Sequence, residues 1–290
     1  MHYTIEIQMS ENTLIANKYR IIELLGSGAF GCVYKGIYVQ KGVSVALKME
    51  SMTSDFKILK HETTILKYLH DHGCRGIPIV YWYGSYQDSI CLVMGYYDCS
   101  LHDYIKRKDL SINQLNNIIV QYITILQSVH THLVIHRDIK PQNCMIKSGN
   151  MFLIDFGLAT FHTDNEKSHT MGSETIIGTP KYISFNVHDA HTPTFRDDLI
   201  SLGYVYIYLY AKALPWDNVS AIPENGEYTS ELYVMNSKNQ QRKTLKSWGS
   251  IQPICLRICK SLEQYMGYCY QLNSVHPPNY DLCISFFTDT

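Results

Sequence analysis

Residues 136–143 read HRDIKPQN, and residues 155–157 read DFG. The first stretch places an acid, Asp138, close to a cation, Lys140, and an amide, Asn143. The second begins with another acid, Asp155, followed by an aromatic residue and a glycine. Taken alone, Asp155 is equally consistent with an ordinary turn residue before Gly157. The segments on either side are therefore needed to interpret both stretches.

Length and composition limit the classes of protein that need to be considered. The chain has 290 residues, 46% of them hydrophobic and 18% charged, and a formal net charge of −1. This length suffices for one large domain or two lobes with a proper core. The near-zero charge disfavours a general binder of nucleic acid or of membrane surfaces. We therefore expect neither nucleic acid nor a membrane among its partners.

Cysteine usage and hydropathy indicate the compartment. The nine cysteines are an odd number and form no CxxC pair, which predicts free thiols in a reducing environment. The N-terminal residues show no basic region followed by an apolar run, as a signal peptide has. The longest apolar stretch, 199–211, is interrupted by Ser201 and Gly203 and is too short to span a bilayer. We expect a cytoplasmic protein, with nuclear access left open.

The period of the hydrophobic pattern changes along the chain. Residues 19–49 form three β-rich runs, and apolar residues then recur at helical spacing from about 56 to 69. Two more strands are predicted at 77–83 and 89–95. Later helices are predicted at about 100–107, 112–131, 195–212, 228–236, 251–266 and 280–287. Strands followed by helices predict an α+β protein with a small β-rich lobe and a larger helical lobe.

A glycine-rich loop interrupts the first β-rich region. Its sequence GSGAFG comprises Gly26, Ser27, Gly28, Ala29, Phe30 and Gly31. The GxGxxG spacing also occurs in dinucleotide-binding oxidoreductases, where the loop opens a helix. Here a β-branched and aromatic run, 32–39, follows, so a hairpin tip able to cover phosphates is favoured. Glu50 lies about where a dinucleotide-binding fold has its acidic residue, which is the one feature that favours that fold. An ordinary glycine-rich hairpin without a ligand is the other alternative.

A lysine and a glutamate follow the loop. VALK (45–48) lies on the third predicted strand and ends in Lys48, and Glu62 lies on the following helix. A lysine that binds nucleotide phosphates needs a carboxylate to orient it, and Glu62 is placed to do so. The alternative is a surface ion pair, worth about 0–1 kcal/mol.

The glycine-rich loop, Lys48 with Glu62, HRDIKPQN and DFG follow one another along the chain. In this order they resemble the elements of a eukaryotic protein kinase. The resemblance implies a bilobal kinase fold with an N-lobe at 19–94, a hinge at 95–98 and a C-lobe at 99–290, in one domain of residues 1–290. It also implies ATP and Mg²⁺ as cofactors, with Mn²⁺ as a substitute. Phosphoryl transfer needs positioning and charge neutralisation more than covalent catalysis.

The resemblance assigns a role to each polar residue. Asp138 accepts the hydroxyl proton, and Lys140, which is typical of serine/threonine kinases, contacts the transferred phosphate. Asn143 and Asp155 are hard oxygen ligands for Mg²⁺. Lys48 and Glu62 complete the catalytic set.

The resemblance also predicts an adenine pocket between the lobes. Val33 and Ala46 are expected to cover the adenine, and Met145 to support it from below. Met94 is the expected gatekeeper, and the expected hinge residues are Gly95, Tyr96 and Tyr97. Apolar residues at these positions are also consistent with an ordinary core.

A narrower resemblance is to the casein kinase I family. SFN (184–186) stands where most kinases have Ala-Pro-Glu, and FRDDLISLGYVYIYLYAKALPW (195–216) resembles the helix that follows in that family. GIPIVYWYGS (76–85) and SLHDYI (100–105) resemble it as well, so the similarity covers about 19–286. Vaccinia-related kinases also lack Ala-Pro-Glu, but RDD (196–198) fits casein kinase I better. The chain resembles a divergent member, since Gly95 and the segment between Asp155 and Thr179 depart from the family pattern. Because no regulatory tail follows Thr290, the resemblance is to the catalytic domain only.

Further roles follow from this narrower resemblance. Asp198 is expected to anchor the catalytic loop from the buried helix. Members often prefer acidic or phosphate-primed protein substrates, and Lys181 in GTPKYISFN (178–186), with Lys243 in an expected loop at 239–248, is expected to bind that anion. A solvated basic face is the alternative for these lysines. We expect a monomeric enzyme, with a pseudokinase or scaffold that binds nucleotide and partner proteins as the alternative.

Overall fold

A computed structural model describes residues 14–28, 31–54, 57–162, 176–189, 191–220, 231–273 and 276–288, with the backbone alone at 231–234. The chain divides into two compact units. The first comprises Met1–Asp98 and Ile154–Gly157, and the second comprises Cys99–Leu153 and Leu158–Thr290. Residues 154–157, which contain Asp155, therefore belong to the unit that also contains Lys48 and Glu62.

The first unit is an antiparallel sheet with one helix. The strands and the helix are β1 (Tyr19–Gly28), β2 (Gly31–Tyr38), β3 (Val43–Ser51), α1 (Ile58–Asp71), β4 (Val80–Tyr86) and β5 (Ser89–Gly95). The sheet order is β1-β2-β3-β5-β4, and every neighbouring pair is antiparallel. The strand that follows the glycine loop is therefore real, and it excludes the loop-to-helix connection of a dinucleotide-binding fold.

Alternation along β2 and β3 gives the sheet two different faces. One face carries the buried Tyr34, Val45, Leu47 and Met49, which pack into a hydrophobic cluster. At the end of the β1–β2 hairpin, Gly31 has φ +125°, and a Cβ there would lie 1.9 Å from the carbonyl oxygen of Met49. Only glycine fits this close strand approach.

The second unit is mainly helical. Its helices are α2 (Leu101–Arg107), α3 (Ile112–Thr131), α4 (Phe195–Ala211), α5 (Glu231–Leu245), α6 (Trp248–Ile258), α7 (Lys260–Gln271) and α8 (Tyr280–Thr288). Its short strands are β6 (Cys99–Ser100), β7 (Val134–Ile135), β8 (Cys144–Lys147), β9 (Asn150–Leu153) and β10 (Thr160–Phe161). Short 3₁₀ turns lie at Phe156–Leu158 and Val187–Asp189.

Sequence features explain the two central helices. Ser111 and Gln114 form a capping box at the start of α3, which satisfies amides that the first turn leaves free. Helix α4 buries nearly all of its residues, as its almost continuous apolar sequence requires. The predicted α+β architecture is confirmed.

Three boundary predictions were wrong. The helix predicted at 251–266 is two helices, because Cys259 is extended (φ −167°, ψ 156°) and separates α6 from α7. Helix α5 continues to Leu245, so the loop expected at 239–248 is the end of α5 and the start of α6. This part of the chain lacks apolar periodicity, but Gln240, Gln241, Arg242 and Lys243 are good helix formers. Strand β4 begins at Val80, since Pro78 cannot donate to a ladder.

Two global expectations can be compared with the described residues. None of the helices there is both long enough and apolar enough to cross a bilayer. All nine cysteines are free, and seven of them are buried.

Candidate active site

A half-buried lysine on the sheet contacts two acids within the first unit. Lys48 on β3 donates from Nζ to both carboxylate oxygens of Glu62 on α1, at 2.8 and 2.9 Å, and to Oδ1 of Asp155 at 2.8 Å. The amide of Phe156 also donates to Glu62 Oε1, at 3.3 Å. The Glu62 side chain is 1% exposed, so this is not the surface ion pair considered as an alternative.

The electrostatic surroundings keep this lysine charged. Burial alone would lower the pKa of Lys48, but the carboxylates of Glu62 and Asp155 outweigh it and raise the pKa above its ordinary value. The ammonium group is therefore a fixed positive charge at neutral pH. The Asp155 side chain is 41% exposed, and its backbone has φ 68°, which is uncommon for a residue other than glycine.

Within the second unit, Asp138 is bound on both carboxylate oxygens. Lys140 Nζ donates to Oδ2 at 2.6 Å, and Thr179 donates to Oδ1 from its hydroxyl at 2.6 Å and from its amide at 3.1 Å. Lys140 also donates to the Thr179 hydroxyl at 3.1 Å. Asn143 Nδ2 donates to the Asp138 carbonyl at 2.9 Å and to its carboxylate at 3.2 Å. The Asp138 carboxylate is therefore fixed in orientation before any substrate binds.

A buried aspartate holds the backbone that carries this group. Asp198, near the start of α4, accepts from the amides of His136 at 2.7 Å and Arg137 at 2.9 Å, and it pairs with His130 Nε2 at 3.0 Å. Burial opposes its ionisation, but the hydrogen bonds of His130 and His136 hold the pKa of Asp198 below its usual value. Arg137 has φ 67°, a conformation that these bonds stabilise. The predicted anchoring role of Asp198 is confirmed.

The residues predicted to bind nucleotide in the first unit share one face of its sheet. Val33 lies opposite Lys48, and Ala46 lies opposite Met94, in the ladders that join β2, β3 and β5. Opposed residues share a face, and so do residues two apart on a strand, which places all four on the face away from the cluster of Leu47. Gly26 lies opposite Val33 at the edge of this face.

The other predicted nucleotide residues lie at several places. Ser27, Gly28 and Gly31 belong to the hairpin that ends at the glycine loop, and the remaining loop members, Ala29 and Phe30, are outside the described residues. The Gly95 amide donates to the Ile79 carbonyl at 3.1 Å.

Beyond Gly95, two aromatic residues of the predicted hinge and a strand residue complete the predicted nucleotide set. Tyr96 lies under Lys35 Nζ at 5.1 Å from the ring centroid, and Tyr97 is buried. Met145 belongs to β8 of the second unit, where its carbonyl accepts from Tyr122 at 3.0 Å.

The two lysines predicted to bind an anion each have a carboxylate partner. Lys181 pairs with Asp217 at 2.8 Å, and Lys243 pairs with Asp189 at 2.5 Å. Lys243 lies in the last turn of α5, which corrects the expected loop at this position. An incoming phosphate would have to compete with these carboxylates.

Hard oxygen donors suited to a divalent cation are present in each unit. Because Asn143 directs its amide nitrogen at Asp138, its amide oxygen is the group left to act as a ligand. The Asp155 carboxylate is partly exposed. Both are ligands that Mg²⁺ prefers. No cluster of three or more His, Cys, Asp or Glu that could hold a metal occurs in the ranges that the structure describes.

A family model of the protein kinase domain matches residues 19–267. The chain therefore belongs to the protein kinase family, and its β-rich and helical units are those of the bilobal kinase fold. Membership of this family implies phosphoryl transfer to protein substrates with ATP and a divalent metal.

Two polar residues have contacts to which sequence reasoning assigned no role, and one of them, Thr179, belongs to this site. Thr179, next to Gly178, binds Asp138 and Lys140. Gly178 has φ +102°, and a Cβ there would lie 2.5 Å from the Arg137 carbonyl oxygen, so the turn needs glycine. The glycine directly before Thr179 was the sequence signal that could have indicated a fixed turn at this position. Lys246, discussed below, gave no such signal.

Proposed function

We propose that the chain is a serine/threonine kinase that transfers the γ-phosphoryl group of Mg²⁺-ATP to a protein hydroxyl, with Mn²⁺ as a substitute metal. The observation that carries this proposal is that both carboxylate oxygens of Asp138 accept hydrogen bonds. Thr179 and Lys140 occupy its two carboxylate oxygens and are hydrogen-bonded to each other. The lysine two residues after Asp138 is also the residue type that serine/threonine kinases share at this position.

The proposed chemistry at Asp138 follows from its contacts. An aliphatic hydroxyl is a weak acid, so it needs a base that is positioned and ready to accept its proton. Asp138 is that base, and the hydrogen bonds from Thr179 and Asn143 orient it. Lys140 carries the positive charge that stabilises negative charge developing on the transferred group.

Residues of the first unit bind the nucleotide in this proposal. Lys48 binds the phosphates, and Glu62 holds its ammonium group by two hydrogen bonds. The face with Val33, Ala46 and Met94 receives the adenine. Asp155 and Asn143 would each supply an oxygen ligand for the divalent cation, which would neutralise phosphate charge.

The casein kinase I resemblance supports a narrower substrate class. We assign acidic or phosphate-primed proteins as substrates, with Lys181 and Lys243 as the anion-binding residues. A primed phosphate carries more charge than a carboxylate, so it can displace Asp217 and Asp189 from these lysines. A monomeric, cytoplasmic enzyme is the corresponding proposal for assembly and location.

The test is turnover of purified protein with Mg²⁺-ATP on three peptides that differ only in Ser, Thr or Tyr at the acceptor position. We expect phosphate on Ser and Thr, none on Tyr, and loss of turnover when the metal is chelated. Asp138→Asn should lower kcat by at least about 100-fold, since a positioned base contributes about 10²–10⁴-fold.

Each part of the proposal has its own contradicting result. Nucleotide binding without transfer by the wild-type chain would identify the pseudokinase alternative. Transfer to Tyr alone would overturn the serine/threonine specificity. Near-normal turnover by folded Asp138→Asn would overturn the role of Asp138.

A further inference from the structure

The side chain of Lys246, directly after α5, is fully buried at 0% exposure. Lysine is almost never fully buried unless its charge is paired or hydrogen-bonded. Among the described residues, the hydrogen-bond partners of its ammonium group are not carboxylates. Nζ lies 2.9 Å from the carbonyl oxygen of Pro180, 2.7 Å from that of Ile183 and 3.1 Å from Nε2 of His188.

The two carbonyl bonds each use an N–H donor of Lys246, which an ammonium group and a neutral amine can both supply. Nζ also lies 5.2 Å from the ring centroid of Tyr204 and 5.0 Å from that of Trp216, within cation–π range. Burial, with Arg242 nearby, lowers the pKa of Lys246 well below its ordinary value, and the two carbonyl bonds form in either protonation state.

Burial, together with Lys246 and other nearby cations, lowers the pKa of His188 to about 3, so its imidazole is neutral and Nε2 either accepts a hydrogen bond from Nζ or donates one to it.

The two carbonyls that Lys246 binds belong to one turn, 179–183. The amides of Tyr182 and Ile183 both donate to the Thr179 carbonyl, at 2.8 and 3.0 Å, and close the turn. A second buried donor, Trp216 Nε1, binds the Lys181 carbonyl at 2.7 Å. Lys246 and Trp216 together thus hold three carbonyls of 180–183 from the interior.

The same turn begins at Thr179, whose amide and hydroxyl both bind Asp138. We infer that Lys246, with Trp216, is a positioning residue for phosphoryl transfer: it fixes the turn 179–183 and so holds Thr179 against Asp138 and Lys140. This inference rests on the proposed function of Asp138. It explains why a lysine is kept in the interior, where burying its polar group is costly.

The principal test is Lys246→Met, which keeps the length of the side chain and removes its donors. Displacing a catalytic group by about 1 Å can cost about 100-fold in rate. We expect kcat on a Ser peptide to fall at least about 10-fold per nucleotide-binding molecule, while the KM for ATP stays within about 2-fold. The matched control is Lys260→Met, the same exchange at an exposed residue at the start of α7, which should change neither constant.

Normalising kcat to the concentration of nucleotide-binding molecules separates positioning from mere stabilisation. A residue that only stabilises the fold changes the yield and the melting temperature, but the kcat of the folded fraction stays constant. An unchanged kcat in folded Lys246→Met would therefore overturn the inference.

A second variant decides the question if Lys246→Met does not fold. Trp216→Phe keeps an aromatic ring beside Lys246 and removes only the indole N–H that binds the turn. We expect its kcat to fall at least about 3-fold with the same unchanged KM for ATP, since one of three anchoring bonds is lost. A kcat equal to that of the wild type would overturn the inference.

The outcome is distinguishable from failure of the proposed function. If Asp138→Asn abolishes turnover and the positioning variants do not lower kcat, the proposed function stands and the role of Lys246 and Trp216 is wrong. If the wild-type chain transfers no phosphate, the proposed function fails and the inference falls with it.

Discussion

The contact between Thr179 and Asp138 gives the most direct test of the catalytic arrangement. Thr179→Ala removes the hydroxyl that donates to Asp138 Oδ1 at 2.6 Å and accepts from Lys140 at 3.1 Å. The Thr179 amide, which donates to the same oxygen at 3.1 Å, stays in place. The substitution therefore weakens the orientation of Asp138 without removing every bond to it.

The expected size follows from the kind of bond that is lost. A hydrogen bond to a charged group contributes about 1.5–3 kcal/mol. Since about 1.4 kcal/mol is a factor of ten, kcat/KM for a Ser peptide should fall about 10- to 150-fold. The KM for ATP should stay within about 2-fold, because Thr179 makes none of the contacts that Lys48 makes.

Steady-state phosphorylation of one peptide at varied ATP and varied peptide measures all three constants. Thr179→Ser is the matched control, since it keeps the hydroxyl and loses only a methyl group, and it should retain activity within about 3-fold. Wild-type kcat/KM in folded Thr179→Ala would refute the reasoning. So would an equal loss in the serine variant, because the methyl group would then be the important part.

The remaining predictions concern charges at three other places. Glu62→Gln should lower kcat/KM at least about 10-fold, because Lys48 loses one of two carboxylates, and an ATP titration that shows no change would contradict this. The double variant Lys181→Ala and Lys243→Ala should lower kcat/KM at least about 10-fold for a primed peptide and leave kcat/KM for an unprimed peptide unchanged. Equal losses on both peptides would exclude an anion site. Asp198→Asn should lower the free energy of unfolding in urea at pH 7 by about 1–3 kcal/mol. The asparagine side chain has one oxygen, whereas the backbone amides of His136 and Arg137 bind two carboxylate oxygens of Asp198. The pKa of Asp198 is depressed in the folded state, so its stabilisation is present above an unfolded pKa of about 3.9 and is lost as the pH falls below it. A difference in unfolding free energy between the wild type and Asp198→Asn that grew in acid would contradict this.

The sequence by itself determined the residue types of the site and the class of fold. HRDIKPQN (136–143) carries its acid, cation and amide within one short loop, so their proximity is a local property of the chain. The change from strand to helix periodicity likewise depends on neighbouring residues, and it predicted the α+β architecture. The β-branched run after the glycine loop predicted a hairpin for the same reason.

Only the tertiary structure decided which distant residues meet. Lys48 and Asp155 are 107 positions apart, and Asp138 and Thr179 are 41 apart, so no spacing rule predicts either pair. The break at Cys259 carries no glycine or proline signal, and packing of the two flanking helices sets it. Lys246 has the same residue type as the half-buried Lys238 and Lys243 of α5, yet it is fully buried and bonded to groups 58 to 66 positions away. Burial and long-range hydrogen bonding, which depend on the whole folded chain, decide whether such a charge is a solvated surface group or an anchor.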